Sequence, residues 1–138
     1  MQGFARVSAA VPYCGVADLD RNIAGTLELW KDADAQGDAV VVFPELGLSG
    51  YTLRDLFLDT HLLDETRRRL KTLCEAGRAL RPLAVVGLPL RVGSGLYNVA
   101  AVIQGGRVLG IVPKAYLPTY REFEEARWFR PGVEVQAG

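Results

Sequence analysis

The apolar residues of this chain fall into short unbroken runs, and the segments between them carry helical spacing. Phe4 to Val11 mixes Phe, Val and Ala with little polarity and predicts a first strand, closed by Pro12 and Gly15. Asp18 then offers an N-cap, and Leu19, Ile23, Leu27 and Trp30 follow at spacings of four, four and three. That is one stripe of an amphipathic helix, ending in Lys31-Asp32-Ala33-Asp34 and Gly37. Val40 to Phe43 is a run of β-branched and aromatic residues that predicts a strand buried on both faces. Pro44, with no N–H to donate, ends it. The resulting β-α-β unit predicts two parallel strands with a right-handed crossover.

Beyond Tyr51, Thr52-Leu53-Arg54-Asp55 has the spacing of a capping box, with Asp where Glu or Gln is preferred, and a short turn is expected through Leu56 and Leu58. A longer helix follows, with Leu63, Thr66, Leu70, Leu73, Gly77 and Leu80 on one face and Arg81-Pro82 as its stop. The basic cluster Arg67-Arg68-Arg69 with Lys71 is expected on the solvated face, offset by Glu65 and Glu75. Leu83 to Leu88 predicts another strand. Tyr97–Ile103 and Arg107–Val112 flank Gln104-Gly105-Gly106, which suits a tight hairpin turn. The predicted order is β-α-β-α-β-β-β, a mixed sheet flanked by helices. From Ala115 to Arg130 aromatics and charges mingle without a period.

Composition changes this picture in only a few respects. With 49% hydrophobic residues among 138, the chain supports a packed core and fills one domain or part of a larger one. Sixteen basic residues balance sixteen acidic ones, so no nucleic-acid footprint is expected. The near-zero net charge and the apolar content point to a homo-oligomer surface. No apolar run reaches the length of a membrane span, and the amino terminus lacks a secretory pattern. Cys14 and Cys74 make no disulfide framework, so a cytoplasmic location is expected. One histidine, His61, and no close cysteine pair give no support for a metal.

Two charged residues stand out by position. Glu45 follows the strand 40–43 and a proline, at the carboxyl end where open sheets gather their ligand sites, and Gly47 and Gly50 let the backbone turn nearby. Lys114 repeats the arrangement after Pro113. Each has a plainer reading: a charge at a loop or helix start for Glu45, a surface lysine at a hairpin exit for Lys114. Together they suit acyl transfer, with a base activating a nucleophile and a cation stabilising the developing oxyanion.

Phe43-Pro44-Glu45, Pro113-Lys114 and Phe123-Glu124-Glu125-Ala126-Arg127-Trp128-Phe129 resemble motifs of the nitrilase (carbon–nitrogen hydrolase) superfamily. More narrowly, residues 44–51 followed by Asp55, and 113–123, resemble the glutaminase domains of glutamine-dependent NAD synthetases. The likeness runs from about Ala5 to Gly132. It implies an α-β-β-α sandwich of which this chain is the N-terminal half, and a Glu–Lys–Cys triad that hydrolyses an amide through a thioester. Glu45 matches the general base, Lys114 the lysine that stabilises the tetrahedral intermediate, and Glu125 the second glutamate that supports it. Tyr51 and Tyr120 match positions lining the glutamine pocket, although amphipathic packing is the plainer reading of both.

The resemblance also implies a nucleophilic cysteine well downstream of Lys114, and neither Cys14 nor Cys74 fits that place. Residues 1–138 are therefore expected to be the N-terminal part of one glutaminase domain, inactive alone. The implied partners are glutamine and a synthetase domain absent from this chain. No cofactor is expected for the glutaminase part; ATP and Mg belong to the parent's synthetase domain. Three alternatives remain: another amidase of the superfamily such as an omega-amidase or carbamoylase, a nucleotide-binding α/β module, and a non-catalytic interaction module. The nucleotide reading lacks a phosphate loop, since Gly93-Ser94-Gly95 has no third glycine.

Overall fold

In the computed structural model, which describes residues 3–135, five strands form one sheet and two helices lie against one of its faces. The elements are β1 (Val7–Ala9), α1 (Leu19–Gln36), β2 (Val40–Val42), α2 (Thr60–Ala76), β3 (Leu83–Val92), β4 (Gly95–Gln104) and β5 (Arg107–Pro113). Spatial order follows chain order: β1, β2 and β3 are parallel neighbours, and β4 and β5 add antiparallel. The expected mixed sheet and the β-α-β-α-β-β-β order are both present.

Local signals explain the helix limits. The Asp18 side chain accepts from the Arg21 amide at the start of α1, and Gly37 ends it in the left-handed conformation at φ 78°. α2 starts at Asp59, whose carboxylate accepts from the Leu62 amide, and stops at Gly77, four residues before the expected Arg81-Pro82. Gly77 is the C-cap, its amide bonding the Leu73 carbonyl at 3.0 Å. A methyl group at Gly77 would come within 2.1 Å of the Trp30 ring, so only glycine fits at this position.

The first strand is shorter than expected, three residues instead of eight, and β3 and β4 are longer. The Gly93-Ser94 pair, which lacks the third glycine of a phosphate loop, is the two-residue turn joining β3 to β4, with Gly93 at φ 58°. Gly105 and Gly106, both at positive φ, make the matching turn before β5, as expected.

The core lies between the helices and one face of the sheet. Val41, Ala84, Val86, Leu88, Val99, Ala101 and Ile103 meet Ile23, Trp30, Leu70 and Leu73 in one cluster. Trp30 is fully buried and donates its indole N–H to the Pro82 carbonyl at 3.1 Å, so no polar atom is stranded there. Truncating such a side chain to alanine costs about 3–5 kcal/mol.

The opposite face of the sheet is open. Val42 is 44% exposed and Val112 60% exposed, and Val7 also faces outward. This corrects the expectation that residues 40–43 are buried on both faces: alternation puts only Val41 and Phe43 against the core. Among the described residues the chain supplies one helical layer and one sheet, two of the four layers of the expected sandwich.

The basic cluster on α2 is on the surface as expected. Arg68 pairs with Glu65, and Arg69 reaches Asp20 of α1 at 2.9 Å. Surface pairs of this kind contribute little, about 0–1 kcal/mol.

Candidate active site

Glu45 stands where β2 leaves the sheet. The Phe43 amide still bonds the Val85 carbonyl at 2.9 Å, and Pro44 then ends the ladder. The chain folds back at once: the Gly47 amide bonds the Pro44 carbonyl, Leu48 bonds Gly87, and Gly50 bonds Leu46. Leu46, directly after Glu45, holds φ at 52°, a conformation costly for a side chain with Cβ. Its side chain is fully buried in a second cluster with Leu53, Phe57, Leu63, Leu96 and Phe129, and that packing holds the strain in place. From below, the buried Asn22 of α1 donates to the Leu48 carbonyl at 3.1 Å and closes on both backbone polar groups of Gly15.

Lys114 is positioned by the sheet itself. Its amide continues the ladder past Pro113 to the Asn98 carbonyl at 2.8 Å, and its carbonyl accepts from Gly132 at 2.7 Å. The ammonium lies 2.6 Å from Glu45 Oε1 and 3.0 and 3.3 Å from the two oxygens of Glu125. Glu125 is 2% exposed, at the start of a short 3-10 turn (Glu125–Arg127). A carboxylate so buried is tolerable only when paired. Lys114 pairs it, and the Tyr51 hydroxyl donates to Oε2 at 2.9 Å.

The shifted pKa values follow from this geometry. Partial burial pushes the Lys114 ammonium down, but its hydrogen bonds and charge attraction to Glu45 and Glu125 outweigh that and hold it above the usual lysine value. Tyr51 is pushed up, first by burial and then by its hydrogen bond to Glu125 and the negative charge of Glu125, Glu45 and Glu122. The lysine is a fixed cation and the tyrosine a fixed donor at neutral pH.

The structure brings Glu45, Lys114, Glu125 and Tyr51 into one network. It leaves Tyr120 outside: that ring is 64% exposed and packs edge-on against Phe123 at 5.7 Å between centroids. Sequence reading missed Asn98. It is 3% exposed, and its amide donates to Glu45 Oε1 at 2.5 Å while its carbonyl holds the Lys114 amide. The available signal was an asparagine inside the apolar run 96–103, where strands disfavour that residue. Asp55 was read as part of a capping box, but the 3-10 turn Arg54–Leu58 has no side-chain cap. The Asp55 carboxylate instead takes the Arg127 guanidinium and the Trp128 indole.

Cys14 lies beside the turn after Glu45, with its sulfur 3.6 Å from the Gly47 carbonyl, and Cys74 is buried on α2. Desolvation pushes both thiols up. An activated nucleophile needs the opposite shift.

Glu45, Asn98 and Lys114 edge a cavity of about 340 Å³ on the open face of the sheet, walled by Val42, Gly87 and Val112. An oxygen base and an ammonium 2.6 Å apart beside an apolar hollow can take a proton from a nucleophile and stabilise negative charge on a carbonyl oxygen. Among the described residues no helix is long and apolar enough to cross a membrane, and no group of three His, Cys, Asp or Glu residues gathers as metal ligands.

The carbon-nitrogen hydrolase family model matches residues 7–136. A glutamine-dependent NAD(+) synthetase of Mycobacterium leprae is 44% identical over 131 residues, covering 95% of this chain and 19% of that protein. The chain thus spans about a fifth of the length of the curated relatives it matches. The glutamine-dependent NAD(+) synthetase of Cytophaga hutchinsonii superposes with a TM-score of 0.86 at 24% identity, covering 92% of this chain and 22% of that one. That of Acinetobacter baumannii, solved with adenosine diphosphate, gives 0.78 at 28% identity, covering 92% and 23%. With the fold, the carboxylate–lysine network and a family match spanning nearly every described residue, the chain belongs to the carbon–nitrogen hydrolase family.

Proposed function

We propose that this chain carries the Glu–Lys half of a glutaminase site that supplies ammonia to NAD synthesis, in a protein whose nucleophilic cysteine lies beyond residue 138. The observation that carries this reading is the ammonium of Lys114 held between Glu45 at 2.6 Å and Glu125 at 3.0 Å, at the mouth of the cavity. The relatives' names support glutamine as the amide and a synthetase part as partner.

In this reading Glu45 is the general base. Among the described residues both of its hydrogen-bond donors, Asn98 and Lys114, use Oε1, which leaves Oε2 to take the thiol proton. The thiolate sulfur attacks the carboxamide carbon, and the carbonyl electron pair moves onto oxygen, where Lys114 stabilises it. Glu45 returns its proton to the leaving nitrogen, ammonia departs, and a thioester remains. Water, deprotonated by Glu45, then releases glutamate and restores the thiol. Glu125 and Tyr51 hold the lysine in place, and Tyr120, exposed on its loop, meets substrate only if that loop packs inward.

Residues 1–138 are then the N-terminal part of a single domain. Its open sheet face is the surface against which the second sheet packs, and the near-zero net charge of the chain suits a homo-oligomer formed through another face. ATP and magnesium act in the synthetase part of the parent, consistent with adenosine diphosphate in the Acinetobacter baumannii relative; no cofactor is assigned to the glutaminase part, and the location is cytoplasmic. The test is glutamate release from glutamine by the full-length protein and by residues 1–138. Activity in the former, silence in the latter and loss on Glu45→Gln support the reading. Activity in the short chain that vanishes on Cys14→Ser overturns it.

A further inference from the structure

The turn that carries Glu125 has backbone bonds of its own: the Arg127 amide bonds the Glu124 carbonyl at 2.9 Å, and the Trp128 and Phe129 amides bond the Glu125 carbonyl at 3.1 and 2.8 Å. Between Lys114 and Glu124 there is neither helix nor strand, and the 3-10 turn at Glu125–Arg127 has no side-chain cap. The Glu125 amide reaches the Pro118 carbonyl only at 3.4 Å. Yet Glu125 must sit within hydrogen-bond reach of both Lys114 and Tyr51. The turn's own bonds shape it and the Arg130 amide ties its end to the Leu96 carbonyl of β4 at 2.8 Å, so its placement on the Tyr51 side falls to side-chain contacts.

The segment 53–57 meets that need. Leu53 and Phe57 are buried, and Phe57 packs on Trp128 and Phe129 with centroids 5.6 and 4.9 Å apart. Above this apolar contact, Asp55 Oδ1 accepts from Arg127 Nε and Trp128 Nε1, both at 2.9 Å, and Oδ2 accepts from the second guanidinium nitrogen at 3.0 Å. The preceding residue, Arg54, is held at φ 53°, in the strained left-handed region. Three charge-assisted bonds on one carboxylate fix direction as well as distance. Both charged side chains are well exposed, 61% for Asp55 and 59% for Arg127. Exposed pairs add little to stability, so the geometry is better explained by orientation.

We propose that Asp55 is a positioning residue: through Arg127 and Trp128 it fixes the turn that presents Glu125, and through Glu125 the ammonium of Lys114. The hydrogen bonds to Arg127 and Trp128 also hold the Asp55 carboxyl well below the usual carboxylate range, so the clamp stays charged throughout the neutral range. The inference rests on the glutaminase reading only for its catalytic consequence; the positioning itself is a statement about Lys114.

The test uses the full-length protein with Asp55→Asn, which turns an amide toward the guanidinium, and with Arg127→Lys, which keeps the charge but loses the two-pronged geometry. The alkaline titration of Lys114 is followed by NMR of isotope-labelled lysine, beside kcat and KM for ammonia release from glutamine and the melting temperature. The expected result is a Lys114 pKa that moves down as Glu125 drifts away, with kcat lowered roughly tenfold to 100-fold, as a misplacement of about 1 Å can cause, and KM little changed. Either variant suffices should the other fail to fold. A lowered melting temperature with Lys114 and kcat unmoved makes the clamp merely structural and overturns the proposal. If the native protein releases no ammonia but Lys114 still shifts in the variants, the positioning stands and the glutaminase reading falls.

Discussion

Gly87 of β3 lies directly beneath the Leu46 amide: a methyl group at Gly87 would be 2.4 Å from that nitrogen, 2.8 Å from the Pro44 carbonyl oxygen and 3.0 Å from the Glu45 carbonyl carbon. All three obstacles are backbone, so no rotamer change relieves the clash. Gly87→Ala must push the Glu45 turn off the sheet, breaking the Leu48–Gly87 bond and moving the base from Lys114. The expected cost is about 1–3 kcal/mol of stability from overpacking. Hydrolysis should fall by far more than that implies, as it tracks the base's position. Gly110, with nothing near its missing methyl, is the matched control on the same sheet. Urea unfolding and ammonia release measure both effects, and a Gly87→Ala protein as active as the Gly110→Ala one would sink the argument.

The Tyr51 hydroxyl and the Glu125 carboxylate should be energetically coupled. Tyr51→Phe removes a donor from a buried acceptor, while Glu125→Gln removes the charge that gives the bond its strength. A double-mutant cycle is expected to return a coupling of about 1.5–3 kcal/mol, the range for hydrogen bonds to charged groups. Tyr120→Phe, whose ring is exposed, is expected to change stability by less than about 0.5 kcal/mol. Equal effects from the two tyrosines would mean that the Tyr51 bond contributes nothing particular.

Signals that act over a few residues were legible. Asp18 and Gly37 bound α1 because a cap and a left-handed glycine act within one turn, and Gly105-Gly106 named its hairpin for the same reason. The end of α2 was placed four residues late because Gly77 was counted on the helix's apolar face; it is the C-cap. Asp55 was misread because the groups that claim its carboxylate, Arg127 and Trp128, lie 72 and 73 positions away. Glu45 and Lys114 could be picked out by their positions after strand-ending prolines. Glu125 had no such mark, and only the family resemblance singled it out; its buried environment arises when three distant segments meet. The exposure of Val42 was missed because an apolar run looks alike whether one or both faces are covered.

Among the described residues, Asn98 is the one polar side chain that touches Glu45 and whose backbone also holds Lys114. Asn98→Ala should leave the ladder intact, because the Lys114 amide bonds the backbone carbonyl, and should remove only the donor to Glu45. The expected loss is about 1–3 kcal/mol of stability, together with a fall in kcat as Glu45 gains freedom to turn. Asn98→Gln, which keeps the amide but adds a methylene, should recover less than native activity. The comparison of kcat with KM decides the matter: a change confined to KM would place Asn98 in substrate binding instead.

Stability should fall off at both pH extremes for separable reasons. Asp34 is held below the usual carboxylate range, chiefly by hydrogen bonds from the Arg81 side chain and amide, and Asp55 by Arg127 and Trp128. For a carboxylate with a depressed folded pKa, the stabilisation is present above the unfolded value, about 3.9. It is lost as pH falls through the folded value. Both groups are exposed, so the acid effect should be small and weakened by salt. Lys114 and Tyr51 are both raised. A raised group contributes its full stabilisation below the unfolded value, about 10.4 for lysine and 10 for tyrosine, and loses it as pH rises through the folded value. Unfolding midpoints measured from pH 2 to 12 in low and high salt are expected to decline on both sides of a neutral plateau. Lys114→Met should flatten part of the alkaline limb and leave the Tyr51 share, whereas Asp55→Asn should flatten part of the acid one. A Lys114→Met protein with the native alkaline limb would show that this lysine gains nothing from Glu45 and Glu125 on folding, and the shared-ammonium geometry would then be wrong.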